Sequence, residues 1–158
     1  MRRMVFLFIT AVLLLVFHSS HSEEKNSKSQ IEKESSVSDS RQLVSMPEET
    51  RRLMREEMLD HLSALNELIG YLASSNLDAV ATVAETRMGK SSMGKHRATG
   101  MGPGKYMPDA MRNIGFGMHT AASELSQVAK DGDLKGAYGA LQKITSSCVA
   151  CHYSYRIR

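Results

Sequence analysis

The sequence predicts an all-α protein that folds as an antiparallel four-helix bundle. Three observations support this prediction. Apolar residues recur at steps of three and four in four segments, each bounded by capping or breaking residues. Most connections between these segments are short, as in a bundle. No stretch shows the apolar and polar alternation of a half-buried strand, so we expect no strand.

The first two predicted helices lie between residues 45 and 89. The first begins at Ser45-Met46-Pro47-Glu48, where Ser45 can cap and the proline occupies the first turn, and it extends to about Ala73. The second covers residues 77–88, with Asn76 as its cap. The apolar stripe of the first helix consists of Met54, Met58, His61, Leu62, Leu65, Leu68, Ile69 and Leu72.

The last two predicted helices form the C-terminal part of the chain. Pro108 opens the third helix, which stops near Asp131-Gly132, and Asp133 can cap the fourth. Before them, residues 89–107 contain five glycines and Pro103, too many breakers for regular structure, so this stretch is a long loop. Its methionines and histidine either fold down as a lid or bind copper. These residues are Met93, His96, Met101 and Met107.

The N-terminal end indicates export. Arg2 and Arg3 precede an apolar run over residues 5–17, and small polar residues follow it, as in a secretory signal peptide. We therefore expect a signal peptide at 1–22, a flexible tether at 23–46, a helical domain at 47–158, and a periplasmic location. An uncleaved N-terminal anchor is the alternative, because the cleavage region lacks the usual alanines. After cleavage we expect no membrane contact, since no second long apolar stretch occurs.

Composition excludes several classes of function. Cleavage would remove two of the 20 basic residues and none of the 17 acidic ones, which leaves a nearly neutral chain without the basic face that nucleic acid requires. No catalytic triad, pair of inward carboxylates or phosphate-binding loop is present, so we do not expect an enzyme. The two cysteines lie within one four-residue window, so no disulfide joins distant parts of the fold.

The chemistry of the chain is concentrated at Cys148-Val149-Ala150-Cys151-His152. On a helix, both sulfur atoms and the imidazole project to one side within a turn and a half. This arrangement suits one covalent haem c, whose vinyl groups form thioethers with the cysteines while the adjacent histidine binds the iron. A redox disulfide belongs instead at a helix N-terminus after a strand. A zinc site needs four ligands, and the rest of the chain offers only scattered histidines.

The position of this motif in the last helix, before a short tail, resembles the cytochrome c-prime family. The matching residues are Gly132-Asp133-Leu134, Ala137, Leu141, Cys148 to His152 and Tyr155-Arg156. The resemblance implies that His152 is the proximal ligand of the iron and that Arg156 lies beside it. It further implies that the distal residue lies on the first helix and that two chains can pair as a homodimer through their first two helices. The loop at 89–107 departs from the usual family connection.

The distal side decides the function, because a protein ligand there favours electron transfer whereas an apolar residue leaves the iron open to small gases. Low-spin members of the family place a methionine there, and Met58 is the first candidate. Met54 and His61 are alternatives, and all three could instead be ordinary core residues. Arg51 and Arg52 either pair with the haem propionates or form a solvated face.

The sequence therefore predicts a periplasmic one-electron carrier that serves redox partner proteins, with His152 proximal and Met58 distal. The rival interpretation is a five-coordinate cytochrome that binds nitric oxide or carbon monoxide.

Overall fold

Four helices form most of the described chain. The structure is a computed structural model, and it describes residues 39–96 and 98–158. The predicted signal peptide and residues 23–38 of the predicted tether lie outside the described residues. Helix α1 spans Glu48–Ala73, α2 spans Leu77–Val83, α3 spans Asp109–Lys130 and α4 spans Leu134–Ser154. The prediction of an all-α four-helix bundle is confirmed, and residues 41–158 form one compact unit.

The helix ends follow the predicted capping chemistry at two of three positions. The Asn76 side chain accepts a hydrogen bond from the Ala79 amide at 3.2 Å, and the Asp133 side chain accepts one from the Gly136 amide at 2.8 Å. The prediction that Ser45 caps α1 is wrong, because Pro47 occupies the capping position and no side chain caps that end. Gly132 follows α3 with a φ of 76°, a left-handed conformation in which glycine carries no steric penalty.

Helix α2 does not continue as a regular α-helix to residue 88. Its last turn, Ala84–Met88, is a π-helical turn, in which each hydrogen-bonded ring contains one more residue than in an α-helix. The turn buries the Met88 side chain completely and ends at Gly89. Such turns occur often at functional sites, and this one faces α1 and α3.

Two short strands pair beside the end of α4. Strand β1, Gln42–Val44, lies parallel to β2, Tyr155–Ile157, with Leu43 opposite Arg156. The expectation of no strand is therefore wrong for these residues. Each strand has only three residues, too few to display an alternating pattern. The predicted boundary between tether and domain stays a prediction, although β1 lies within the predicted tether.

Within the described residues, the core consists of two clusters of buried side chains. The larger lies between the four helices, and its largest members are Leu68, Leu72, Val80, Met88, Leu125 and Ile144. The smaller contains Val44, Met54 and Met111. Helix α4 packs along α3 over much of its length, whereas α4 and α1 make few direct contacts.

The buried face of α1 is narrower than predicted. Leu68 and Leu72 are buried, but Leu62 is 64% exposed and Ile69 is 57% exposed. At about 100° per residue, Leu62 and Ile69 lie roughly 100° or more around the helix from Leu68. The prediction that both belong to the core is wrong, because α2 and the π-helical turn, which pack most closely against α1, leave this side of the helix exposed. None of the helices in the described part of the chain is both long and apolar enough to cross a bilayer.

Candidate cofactor site

The last two turns of α4 carry the three residues of the predicted haem motif. Cys148 and Cys151 are half-buried, and His152 is exposed. Cys148 packs against the larger core cluster and Cys151 against the smaller one. His152 is rotated by about 40° around the helix axis from Cys148, so both side chains project from the same side of α4. The motif therefore lies at the junction of the two clusters, on a face of α4 that α1 leaves largely uncovered.

The state of the two thiols argues against a redox disulfide. Neither cysteine is in a disulfide bond. Burial raises the pKa of the Cys148 thiol, and burial together with the neighbouring Cys148 raises the pKa of the Cys151 thiol. Both lie near the C-terminal end of α4, where the helix dipole also disfavours a thiolate. Redox-active cysteine pairs need the opposite, a lowered pKa.

A zinc site lacks its ligands in the described residues. Across residues 39–96 and 98–158, no group of three or more histidine, cysteine, aspartate or glutamate side chains converges in a metal-binding arrangement. A structural zinc ion takes four such ligands.

Four methionines surround the Cys151 side of the motif. Met54 from α1 and Met111 from α3 are buried with Val44 of β1. The partly buried residues packed against them are Met46, Met107, Cys151, Tyr155 and Ile157. We call these residues the methionine cluster. Methionine side chains are flexible and polarizable, so they adapt to an irregular apolar group. The cluster offers an apolar wall next to one of the two thiols.

The candidates for the distal position have different environments on α1. Met54 is 6% exposed and belongs to the methionine cluster. Met58 is half-buried and belongs to neither core cluster. Relative to the buried Leu68, Met54 is displaced by roughly 40° around the helix and Met58 by roughly 80°. The Met58 assignment stays a prediction, but packing places Met54 nearer to the motif.

His61 lies against a second histidine. Its ring is nearly perpendicular to that of His119, with centroids 5.8 Å apart. The Nδ1 atom of His119 lies 2.7 Å from the Met88 carbonyl oxygen in the π-helical turn. Burial, with a smaller contribution from His119, lowers the pKa of His61 to about 4. His61 is therefore neutral near pH 7. Its ring contacts His119 of α3 rather than a residue of the motif.

The three arginines that the sequence analysis named differ in their surroundings. Arg51 pairs with Glu48, yet its Nε atom is buried without a hydrogen-bond partner in the described structure. Arg52 pairs with glutamates of its own helix and is exposed. Arg156 donates from Nε to the carbonyl oxygen of Arg41 at 3.2 Å. A buried donor without a partner is rare and calls for an explanation; at Arg51, a carboxylate of a bound group would supply the acceptor.

These residues fit a covalently held haem. Two half-buried thiols stand one helical turn apart, and the adjacent histidine is accessible. An apolar methionine cluster lies on one side, and a buried arginine donor lacks its acceptor. Helices α1 and α4 make few direct contacts, so α1 covers little of α4.

The loop between α2 and α3 is held at both ends. Near its start, the Lys90 amide donates to Ser123 Oγ at 2.9 Å and the Ser91 amide to Glu85 Oε1 at 3.0 Å. At its end, Met107 packs against the methionine cluster. Met107 therefore lies beside Cys151 in this cluster, whereas Met93 is exposed, and the lid stays a prediction.

Sequence reasoning missed two parts of this region. It did not identify β1, whose Val44 lies in the methionine cluster. The sequence also does not reveal whether His119 faces the core or solvent, because a single histidine on an amphipathic helix does not indicate its face. The Met88 carbonyl oxygen that contacts His119 belongs to the π-helical turn. Amino-acid composition does not predict such a turn.

Comparison with known proteins supports the resemblance. The family model described as Cytochrome C' matches residues 107–156, which include the whole of α3, α4 and the motif. This match implies a haem cofactor with iron and supports a c-type cytochrome that carries electrons or binds gas. It does not extend to α1, where the distal candidates lie. Neither the curated proteins nor the solved structures contain a match to the chain.

Proposed function

From the Cytochrome C' match over residues 107–156, we propose that the protein is an exported c-type cytochrome with one covalent haem that carries single electrons. The observation that carries this proposal is the position of Cys148, Cys151 and His152 on an accessible face of α4 beside the methionine cluster. In such a protein, haem iron supplies a reversible one-electron change between ferric and ferrous states.

The chain's own residues have distinct roles in this proposal. Cys148 and Cys151 hold the cofactor through their sulfur atoms, and His152 offers an imidazole nitrogen to the iron. Arg51, whose Nε atom is buried without a partner in the described residues, would donate from that atom to a propionate. The methionine cluster excludes water from one side of the site, which stabilises the ferrous state because that state carries less positive charge.

For the distal position we propose Met54 in preference to Met58. Met54 is buried and shares a cluster with Cys151, whereas Met58 lies outside both core clusters. A methionine ligand would make the iron six-coordinate and raise its potential relative to a histidine ligand. This assignment favours electron transfer over the gas-binding alternative.

Covalent attachment is tested first. Protein isolated after export should have the mass of the chain plus one haem, with neither cysteine available to alkylation. A variant with Cys148→Ala and Cys151→Ala should carry no covalent haem. A wild-type chain with the mass of the polypeptide alone would refute the proposed function.

The distal ligand is tested with a matched pair, Met54→Leu and Met58→Leu. Leucine keeps the volume of methionine, so each change should cost under about 1.5 kcal/mol of stability. We expect the wild-type ferric spectrum to show the weak long-wavelength band of methionine-ligated haem, and only Met54→Leu to abolish it and admit carbon monoxide. Loss of the band in Met58→Leu alone would identify Met58 as the distal ligand and refute the assignment of Met54. A wild-type protein that is already high-spin and binds carbon monoxide would replace the electron carrier by the gas-binding alternative.

The proposal extends to location and partners. The apolar run at residues 5–17 supports export to the periplasm, where redox partner proteins would exchange electrons with the haem. Three exposed apolar side chains of α1, Leu59, Leu62 and Ile69, support a homodimer. Sedimentation of the wild type and of Leu62→Glu should show a dimer only for the wild type; a monomeric wild type would contradict this part.

A further inference from the structure

The two ends of the described chain meet at the last turn of α4. The Arg41 guanidinium donates to the carbonyl oxygen of His152 at 3.4 Å. In return, Arg156 Nε donates to the Arg41 carbonyl oxygen at 3.2 Å. The parallel strands β1 and β2 begin at the residues that directly follow Arg41 and Ser154. A segment more than 100 residues away in sequence thus contacts the backbone of the candidate iron ligand.

The last turn of α4 needs such support. The final four carbonyl groups of a helix have no partner within the helix, and last turns fray readily. Helix α4 has no glycine cap at this end, since Tyr155 is extended and its amide bonds to the Cys151 carbonyl oxygen. The fraying turn would be the one that carries Cys151 and His152. Arg41 supplies a charged donor to one of its unpaired carbonyls.

The same segment also covers the site on its apolar side. Val44 is 3% exposed and lies in the methionine cluster with Met54 and Met111. Tyr155 and Ile157 of β2 pack against that cluster. Residues 41–44 therefore combine polar contacts to the end of α4 with an apolar contact beside Cys151.

We propose that residues 41–44 are a positioning strap that holds the last turn of α4, and with it the His152 side chain, in the geometry that binds the cofactor. The inference rests on the proposed function for the identity of the cofactor, but the strap itself is a property of the polypeptide. Arg41 acts through the His152 backbone, and Val44 anchors the strap in the methionine cluster.

The test compares four variants of the full-length holoprotein. Arg41→Ala removes the donor, and Arg41→Lys restores one donor and the charge. Val44→Asn releases the anchor independently. Arg158→Ala is the matched control, because it removes an exposed arginine that directly follows β2. Amide hydrogen exchange of residues 151–157 is measured by mass spectrometry, with α2 as the internal reference, and the haem midpoint potential is measured on the same samples.

We expect Arg41→Ala and Val44→Asn to accelerate exchange of residues 151–157 roughly three- to tenfold, which corresponds to the loss of one exposed hydrogen bond of ordinary net strength. Exchange in α2 should not change. The potential should fall in both variants, because an opened site admits water and favours ferric iron. The exchange rate and the potential of Arg41→Lys should be close to those of the wild type. Arg158→Ala should match the wild type in both measurements.

Unchanged exchange at residues 151–157 in both Arg41→Ala and Val44→Asn would overturn the strap. An equal acceleration of exchange in Arg158→Ala would also overturn it, because loss of any positive charge near β2 would then explain the effect. Faster exchange with an unchanged potential would overturn the positioning role. Residues 41–44 would then stabilise the last turn of α4 without affecting the iron site. A wild-type chain without covalent haem would refute the proposed function, and the exchange comparison would still decide whether the strap exists.

Discussion

Arg87 joins the π-helical turn to α1 through two carboxylates, and its removal should destabilise the protein measurably. Its guanidinium lies 2.5 Å from Asp60 Oδ1 and 2.5 Å from Glu67 Oε1. It also donates to the Asp60 carbonyl oxygen at 3.0 Å. The Arg87 side chain is 25% exposed, so solvent screens these contacts only in part.

The magnitude follows from comparison with Arg52, which also contacts two carboxylates. The Arg52 side chain is 52% exposed, and both of its partners lie on the same helix. Exposed pairs of that kind contribute about 0 to 1 kcal/mol. Hydrogen bonds to charged groups in partly buried positions contribute about 1.5 to 3 kcal/mol each before screening. We therefore expect Arg87→Met to cost about 2 kcal/mol and Arg52→Met to cost under about 1 kcal/mol.

Urea unfolding of the holoprotein, followed by circular dichroism, measures both changes. At this domain size, a loss of about 2 kcal/mol corresponds to a fall in Tm of about 5 to 10 °C. Arg87 also lowers the pKa of the Asp60 carboxyl group through a direct hydrogen bond. Its stabilising contribution is therefore present above the ordinary pKa of an aspartate and is lost as the pH falls through the lowered value. Equal costs for Arg87→Met and Arg52→Met, or a difference that persists in strong acid, would refute this reasoning.

Two further perturbations test the helix that carries the motif and the histidine pair. Asp133→Ala should cost about 1 kcal/mol in urea unfolding, because it removes the acceptor for the Gly136 amide; Asp131→Ala, at the end of α3, is the control, and an equal loss there would contradict the capping role. The wild type should lose stability as the pH falls from about 6.5 towards 4, because His61 has a pKa of about 4 when folded and must gain its proton on unfolding. His61→Leu should flatten that part of the curve, and an unchanged slope between pH 7 and 5 would show that His61 does not contribute.

The sequence was sufficient where local chemistry determines structure. Asn76 and Asp133 each accept the hydrogen bond expected of a cap, and the breakers around 89–107 mark the loop correctly. The Cys148 to His152 motif could be placed on the last helix because periodicity continues into it from Leu134. These features depend on residues within one or two turns of one another.

Features that depend on distant residues could not be predicted. The phase of the α1 stripe was uncertain because leucines continue around the helix, and only the packing of α2 and the π-helical turn against the other side shows that Leu62 is exposed. This shift changes the preferred distal candidate from Met58 to Met54. Strand β1 exists because β2 lies beside it, and a three-residue segment carries no sign of its partner.

The π-helical turn at Ala84–Met88 makes this part of the chain sensitive to length rather than to composition. Deletion of one residue within it would restore α-helical register and rotate everything that follows by roughly 100°. Arg87 would then turn away from Asp60, and the Met88 carbonyl would leave His119. Homologous chains that keep this turn should therefore tolerate substitutions in it more readily than insertions or deletions, and length changes should accumulate in the loop beyond Gly89.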